Sequence, residues 1–164
     1  MSALRALLIL AVALALQAAL GRLFPGIHRY VDVLLAPVAI YGAASSQAAA
    51  MGMGCASGLL SDTWFHGGPF GLHGFKRTFL GWAAGVVATR VDLSQRAGRF
   101  VTGVLVSLGD HLLDFLVRGL LDARPGIPSL AELALRAVTT GLLAAAGGTL
   151  LESRRRNQRV RAVV

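Results

Sequence analysis

Four ionisable residues crowd one apolar run: Asp110, His111, Asp114 and Arg118. Asp110, Asp114 and Arg118 are spaced by four, so on a helix they line one face. Arg136, in the next apolar run, reaches the same depth if the two runs form a hairpin. Ionisable groups in hydrocarbon are costly and normally face a partner inside the bundle. Such a face could serve as a proton relay, an intramembrane acid pair or a ligand site. It could equally be an interhelical clamp that fixes packing. A protease-like aspartate pair is the most reactive version, but of the Gly-x-Gly-Asp context only Gly109-Asp110 is present, after Leu108. The clamp is the preferred reading, because these charges can neutralise one another.

A second constellation lies at Gly58-Leu-Leu-Ser-Asp62-Thr-Trp-Phe-His66-Gly67-Gly68-Pro69-Phe-Gly71-Leu-His73-Gly74. It reads as a helix end, a tight glycine-rich turn and the start of the next helix. Glycine tolerates a positive φ that a side chain resists, and Pro69 sets the exit. Asp62 is placed to accept backbone N–H groups from the turn. Asp62, His66 and His73 have metal-ligand chemistry, but the two histidines flank a turn and form no helix-face pair. A structural turn is the preferred reading.

These residues need apolar elements to hold them. Hydrophobic residues make up 55% of the 164-residue chain and charged residues 15%, where a soluble domain carries about a quarter charged. Mean hydropathy is positive. The expected class is therefore all-α, a polytopic membrane protein of about six fully or partly spanning helices. Runs at 3–20, 72–88, 100–121 and 130–151 approach or exceed the ~18 apolar residues a spanning helix needs. Between the first two, segments 31–45 and 47–60 are shorter, and Pro37 bends or breaks the earlier one. We read them as two helices turning at Ser45-Ser46-Gln47, with one kinked helix as the alternative. The first run, with Arg5 at its start, is read as a transmembrane helix rather than a signal peptide. Residues 1–152 form one membrane domain and 153–164 a basic tail.

Orientation follows the distribution of Lys and Arg. The tail (Arg154, Arg155, Arg156, Arg159, Arg161) and the loop carrying Arg90, Arg96 and Arg99 belong in the cytoplasm. Both termini are then cytoplasmic and the Gly67–Gly71 turn faces outward. Lys76 and Arg77 violate the rule unless they snorkel to outer headgroups or the segment count is off by one.

Small residues recur at spacing four: Gly54 with Gly58, Gly81 with Gly85, and Ala144 with Gly148. Such stripes let helix backbones approach closely in lipid, within the bundle, against a partner helix or in a homo-oligomer. The lone Cys55 excludes a disulfide within the chain. There is no phosphate loop, nucleophile elbow or zinc motif, and no cofactor is called for. The net charge of +8 comes without the aromatic interleaving of a nucleic-acid binder. The loops are too short to fold an active site, which argues against an enzyme.

The stretch from Gly58 to Gly85 resembles the MreD family, membrane components of the bacterial cell-elongation machinery. The matching positions are Gly58, Asp62, Gly67, Gly68, Pro69, Gly71, Leu72, His73, Lys76, Gly81, Trp82 and Gly85. The flanks add Tyr30 to Pro37, then Val91, Asp92, Leu93 and His111. Asp110 and Asp114 fall outside the pattern. The resemblance implies a non-enzymatic scaffold in the inner membrane for rod shape and peptidoglycan synthesis. Its implied partner is a bitopic MreC-like protein, with RodA and its penicillin-binding transpeptidase alongside and MreB indirectly. It also implies a fold similar to the six-helix substrate-binding subunits of energy-coupling transporters. That makes a vitamin-type small-molecule carrier the alternative function.

Overall fold

The computed structural model describes residues 3–44, 46–65, 70–91, 93, 95–120 and 128–161, with side chains described over 4–149 of these. Among them the chain is all helical, in six helices: α1 Ala3–Leu23, α2 Ala36–Ala44, α3 Gln47–Phe65, α4 Leu72–Ala88, α5 Arg96–Leu120 and α6 Leu130–Arg161. A single 3-10 turn, Ile27–Arg29, follows α1. The backbone of α6 runs through to Arg161, so much of the basic tail continues the last helix.

Burial is inverted relative to a soluble protein. The three largest fully buried side chains are Arg77, Arg99 and Lys76, while Leu7, Val12, Phe79, Leu105, Leu112 and Leu142 face outward. Water would penalise both halves of that arrangement; hydrocarbon outside and a polar interior favour both. Three helices are long and apolar enough to cross a bilayer: α1, α5 and the 130–149 part of α6. This is a membrane protein. The run at 72–88 is not among the three. As α4 it has 17 residues, about 25 Å of helix, and it carries two cations.

The short α2 is the hub. It packs against α3, α4, α5 and α6, and every residue from Ala36 to Ala43 is buried. Its small residues let four helices close around it. The two-helix reading of this region is correct, with shifted bounds; Ser45 of the expected turn lies outside the described residues. Residues 31–35 are tight turns instead of helix, with the Asp32 carboxylate accepting from Leu35 N–H. Pro37 therefore falls in the first turn of α2, where its missing N–H removes no helical bond. α3 in turn runs on to Phe65.

α3 and α4 form an antiparallel hairpin locked by glycines from both sides. A methyl group added at Gly54 would strike the Arg77 carbonyl, and at Gly58 the backbone of His73 and Gly74. At Gly81 it would strike the Ala50 carbonyl, and at Gly85 the Gln47 backbone. The two stripes are thus consumed by each other. α5 and α6 form the second hairpin. Ser129 and Glu132 cap α6 reciprocally, each side chain bonding the other's backbone N–H. Ala144 is fully buried and Gly148 lies against the Arg99 side chain. All five candidate packing residues, Gly54, Gly81, Gly85, Ala144 and Gly148, therefore pack helices of this chain. Of the uses such stripes allow, packing within the bundle is the one these residues serve here.

α1 is held differently. Its buried Gln17 amide donates to the Val31 carbonyl at 3.2 Å and accepts from Val33 N–H at 2.7 Å. Further along, α1, α2 and α6 leave an apolar groove of about 430 Å³ lined by Leu8, Val12, Leu16, Ile40, Leu143 and Gly147.

Candidate functional site

Three helix ends and one turn bring charge to a single level. α4 and α6 begin at this end of the bundle, α5 finishes here, and the connection from α1 to α2 passes through it. Asp32, on that connection, receives Arg77 Nη2 at 2.6 Å and Arg136 Nη2 at 2.7 Å. Arg136 Nη2 also reaches Asp110 Oδ2 at 3.2 Å. Lys76 Nζ donates to Asp114 at 2.7 Å and lies 3.6 Å from Asp110 Oδ1. Asp114 accepts from Arg118 Nε at 2.8 Å, one helical turn along α5. A single ion-pair layer therefore ties the α1–α2 connection, α4, α5 and α6 together.

The layer extends inward through Arg77. Its Nη1 donates to Ser57 Oγ at 3.1 Å, and the Ser57 hydroxyl donates in turn to the Leu34 carbonyl. Arg77 thus joins α3 to α4 as well as to Asp32. Lys76 and Arg77 do not snorkel: both side chains are 1% exposed and point at acids inside the bundle. A cation compensated within the protein needs no headgroup. Arg99, expected in a loop, is buried in α5 at the opposite end.

Of the expected face on α5, Asp110 is buried, and His111, Asp114 and Arg118 are half-buried. Arg136 pairs with Asp110 as the hairpin geometry predicts. It does not reach Asp114, which is held by Lys76 and Arg118 instead. Three members of the layer were missed: Asp32, Lys76 and Arg77. The signal was available, because two adjacent cations opening an apolar helix require acids at the same depth. Asp32, flanked by apolar residues, was the unassigned acid.

Asp62 forms a separate, smaller unit beside the layer. Its carboxylate accepts from Gly71, His73 and Gly74 N–H at 3.1, 3.2 and 3.0 Å. His73 Nδ1 is 2.8 Å away. Asp62 of α3 therefore serves as the N-cap of α4, replacing a local capping side chain. Gly71, at φ +92°, makes the turn into the helix. His66, Gly67, Gly68, Pro69 and Asp92 lie outside the described residues. Among the described residues no three His, Cys, Asp or Glu side chains are grouped to hold a metal ion.

Above the ion pairs a cavity of about 250 Å³ opens at the same end. Arg29 and His28 form part of its wall from the 3-10 turn, His73 and Lys76 from α4, and Asp110, His111, Asp114 and Arg118 from α5. Arg136 and Glu132 complete it from α6. It is a charged pocket on an otherwise apolar molecule. Comparison with family models, with curated proteins and with solved structures gives no match for this chain.

Proposed function

We propose that this chain is a non-catalytic membrane scaffold of the MreD type, which holds the transmembrane helix of a bitopic MreC-like protein in a cell-elongation complex. The observation that carries the reading is the use made of the residues behind the resemblance. Gly58, Gly81 and Gly85 pack the α3–α4 hairpin, Asp62, Gly71 and His73 build its turn, and Lys76 joins the ion-pair layer. They serve the architecture of a rigid body. The polar groups at membrane depth are matched chiefly to one another, as a scaffold needs and a catalytic centre does not.

With the glycine stripes occupied internally, the client helix is assigned to the groove between α1 and α6. The proposed setting is the inner membrane with both termini cytoplasmic, the charged layer in the outer half of the bilayer. RodA, its transpeptidase and MreB belong to the same assembly in this reading. Co-purification with a tagged MreC-like partner tests it. Val12→Trp and Leu16→Trp project bulk into the groove from exposed positions on α1. They should reduce capture of the partner at unchanged yield of folded protein. Undiminished capture by both variants would remove the groove, and no capture by the unaltered chain would remove the scaffold reading. The carrier reading is favoured by one observation, the charged cavity, whose chemistry is considered next.

A further inference from the structure

We infer that the charged cavity is a binding site for a compact oxyanion of the phosphate class, supplied either as free phosphate or as a lipid headgroup. The inference goes beyond the scaffold reading, which makes no use of the cavity.

The argument rests on a surplus of donors. The acceptors in the wall are largely spent. Both Asp114 oxygens are engaged, by Lys76 and Arg118. Asp110 Oδ2 accepts from Arg136, and Glu132 Oε2 accepts from Ser129 N–H in the helix cap. Donors remain. A guanidinium carries five N–H groups, and Arg136 uses only Nη2 on Asp32 and Asp110, while its buried Nε has no partner. The buried His111 Nε2 is likewise unbonded and donates in the tautomer, or the charged form, that carries its proton. Arg29 lines the cavity from the 3-10 turn with no side-chain partner among the described residues.

Arginine donors in a fixed fork suit phosphate oxygens. One buried acceptor, Asp110 Oδ1, has no hydrogen bond and lies 3.6 Å from Lys76 Nζ. It suits the hydroxyl of a protonated or monoesterified phosphate better than a bare carboxylate ligand, which has no proton to donate. A volume of about 250 Å³ admits a phosphate or a small phosphoester. Leaving the site to water alone would leave its donors solvated but the excess of cationic N–H uncompensated at membrane depth.

The test uses the chain purified in maltoside micelles free of zwitterionic detergent. Its thermal unfolding midpoint is followed against inorganic phosphate, with chloride at matched ionic strength as the reference. A ligand that binds only the folded state raises the midpoint in a saturable way. Arg29→Gln, at an exposed position without a side-chain partner among the described residues, should leave the phosphate-free midpoint unchanged. It should weaken half-saturation by about tenfold, the loss of one charge-assisted contact. Arg136 is unsuitable as the probe because it also holds Asp32 and Asp110.

A second arm compares vesicles of pure phosphatidylcholine with vesicles containing phosphatidic acid. A rise with inorganic phosphate assigns the free ligand. A rise with phosphatidic acid alone, lost in Arg29→Gln, assigns the headgroup. No rise in either arm, or equal rises in the unaltered chain and Arg29→Gln, would overturn the inference. Partner capture is read separately, so failure here leaves the scaffold reading standing and failure there leaves this site standing.

Discussion

Asp32 is the residue on which the charge layer turns, because among the described residues it alone receives two arginines from two helices. Removing its charge by Asp32→Asn leaves Arg77 and Arg136 facing an amide. Breaking a buried pair in this way costs about 3–5 kcal/mol. Asp114→Asn should cost less, since Lys76 keeps Asp110 nearby and Arg118 is half-buried. Reversible unfolding in micelles or bilayers should rank the two variants in that order. A double-mutant cycle on Asp32 and Arg77 should show coupling above 1 kcal/mol, within the roughly 0.5–3 kcal/mol seen for groups sharing a network. Coupling near zero would mean that the layer is hydrated and its charges independent. Asp62 works by a different route. Asp62→Ala strands three backbone N–H groups at the start of α4 and should cost about 2 kcal/mol, the upper range for a lost cap. His73→Ala removes one side-chain contact and leaves all three backbone bonds, so its loss should be the smaller.

At the scale of elements, the α3–α4 hairpin depends on backbone approach rather than on side-chain interlock. Gly54→Val and Gly81→Val each place carbon where the opposite helix has a carbonyl, and neither helix can retreat without leaving α2. Both should abolish accumulation of folded protein in the membrane. Gly52, on the same helix, faces open space. Gly52→Ala should be neutral or stabilising by up to about 1 kcal/mol, the difference in helix propensity. That contrast separates packing from propensity within one element. If Gly54→Val and Gly52→Ala behaved alike, the hairpin would not be locked as described. α1 packs through Leu10 and Ala13 and is tied through the Gln17 amide. It touches the bundle more sparsely than the other helices, so it is the element a partner could displace most cheaply. The groove beside it follows from that weak attachment.

For the whole molecule, the charged layer and the cavity lie at one end, with Arg99 and the α4–α5 connection at the other. Helix connectivity requires Phe70 and Ser129 to emerge on one side of the bilayer and Arg90 on the opposite side. Single-cysteine labelling after Cys55→Ser tests this directly. Cysteines at 70 and 129 should react with an impermeant reagent from the outside, and one at 90 only after the membrane is opened. Labelling of 70 and 129 from different sides would sink the six-helix arrangement. The layer also explains how so short a chain can carry charge at membrane depth. The ion pairs cross-link the α1–α2 connection, α4, α5 and α6, at the positions where α2 is too short to fill the bundle.

Composition and the length of the apolar runs were enough to establish an all-helical membrane protein, because hydrocarbon leaves the backbone no alternative to internal hydrogen bonding. Spacing placed Asp110, Asp114 and Arg118 on one inward face and set Arg136 opposite Asp110, since helix period and hairpin direction are local properties. The Asp62 turn was legible for the same reason: its donors lie within twelve residues of the carboxylate. What needed the tertiary structure was every contact between distant segments. Asp32 and Arg136 are 104 residues apart, and no periodicity relates them. Lys76 and Arg77 looked misplaced because a rule about loops was applied to side chains that the fold had already neutralised. The glycine stripes signalled close packing without naming the partner. Small residues permit any backbone to approach, and only the closed bundle decided that α3 and α4 approach each other.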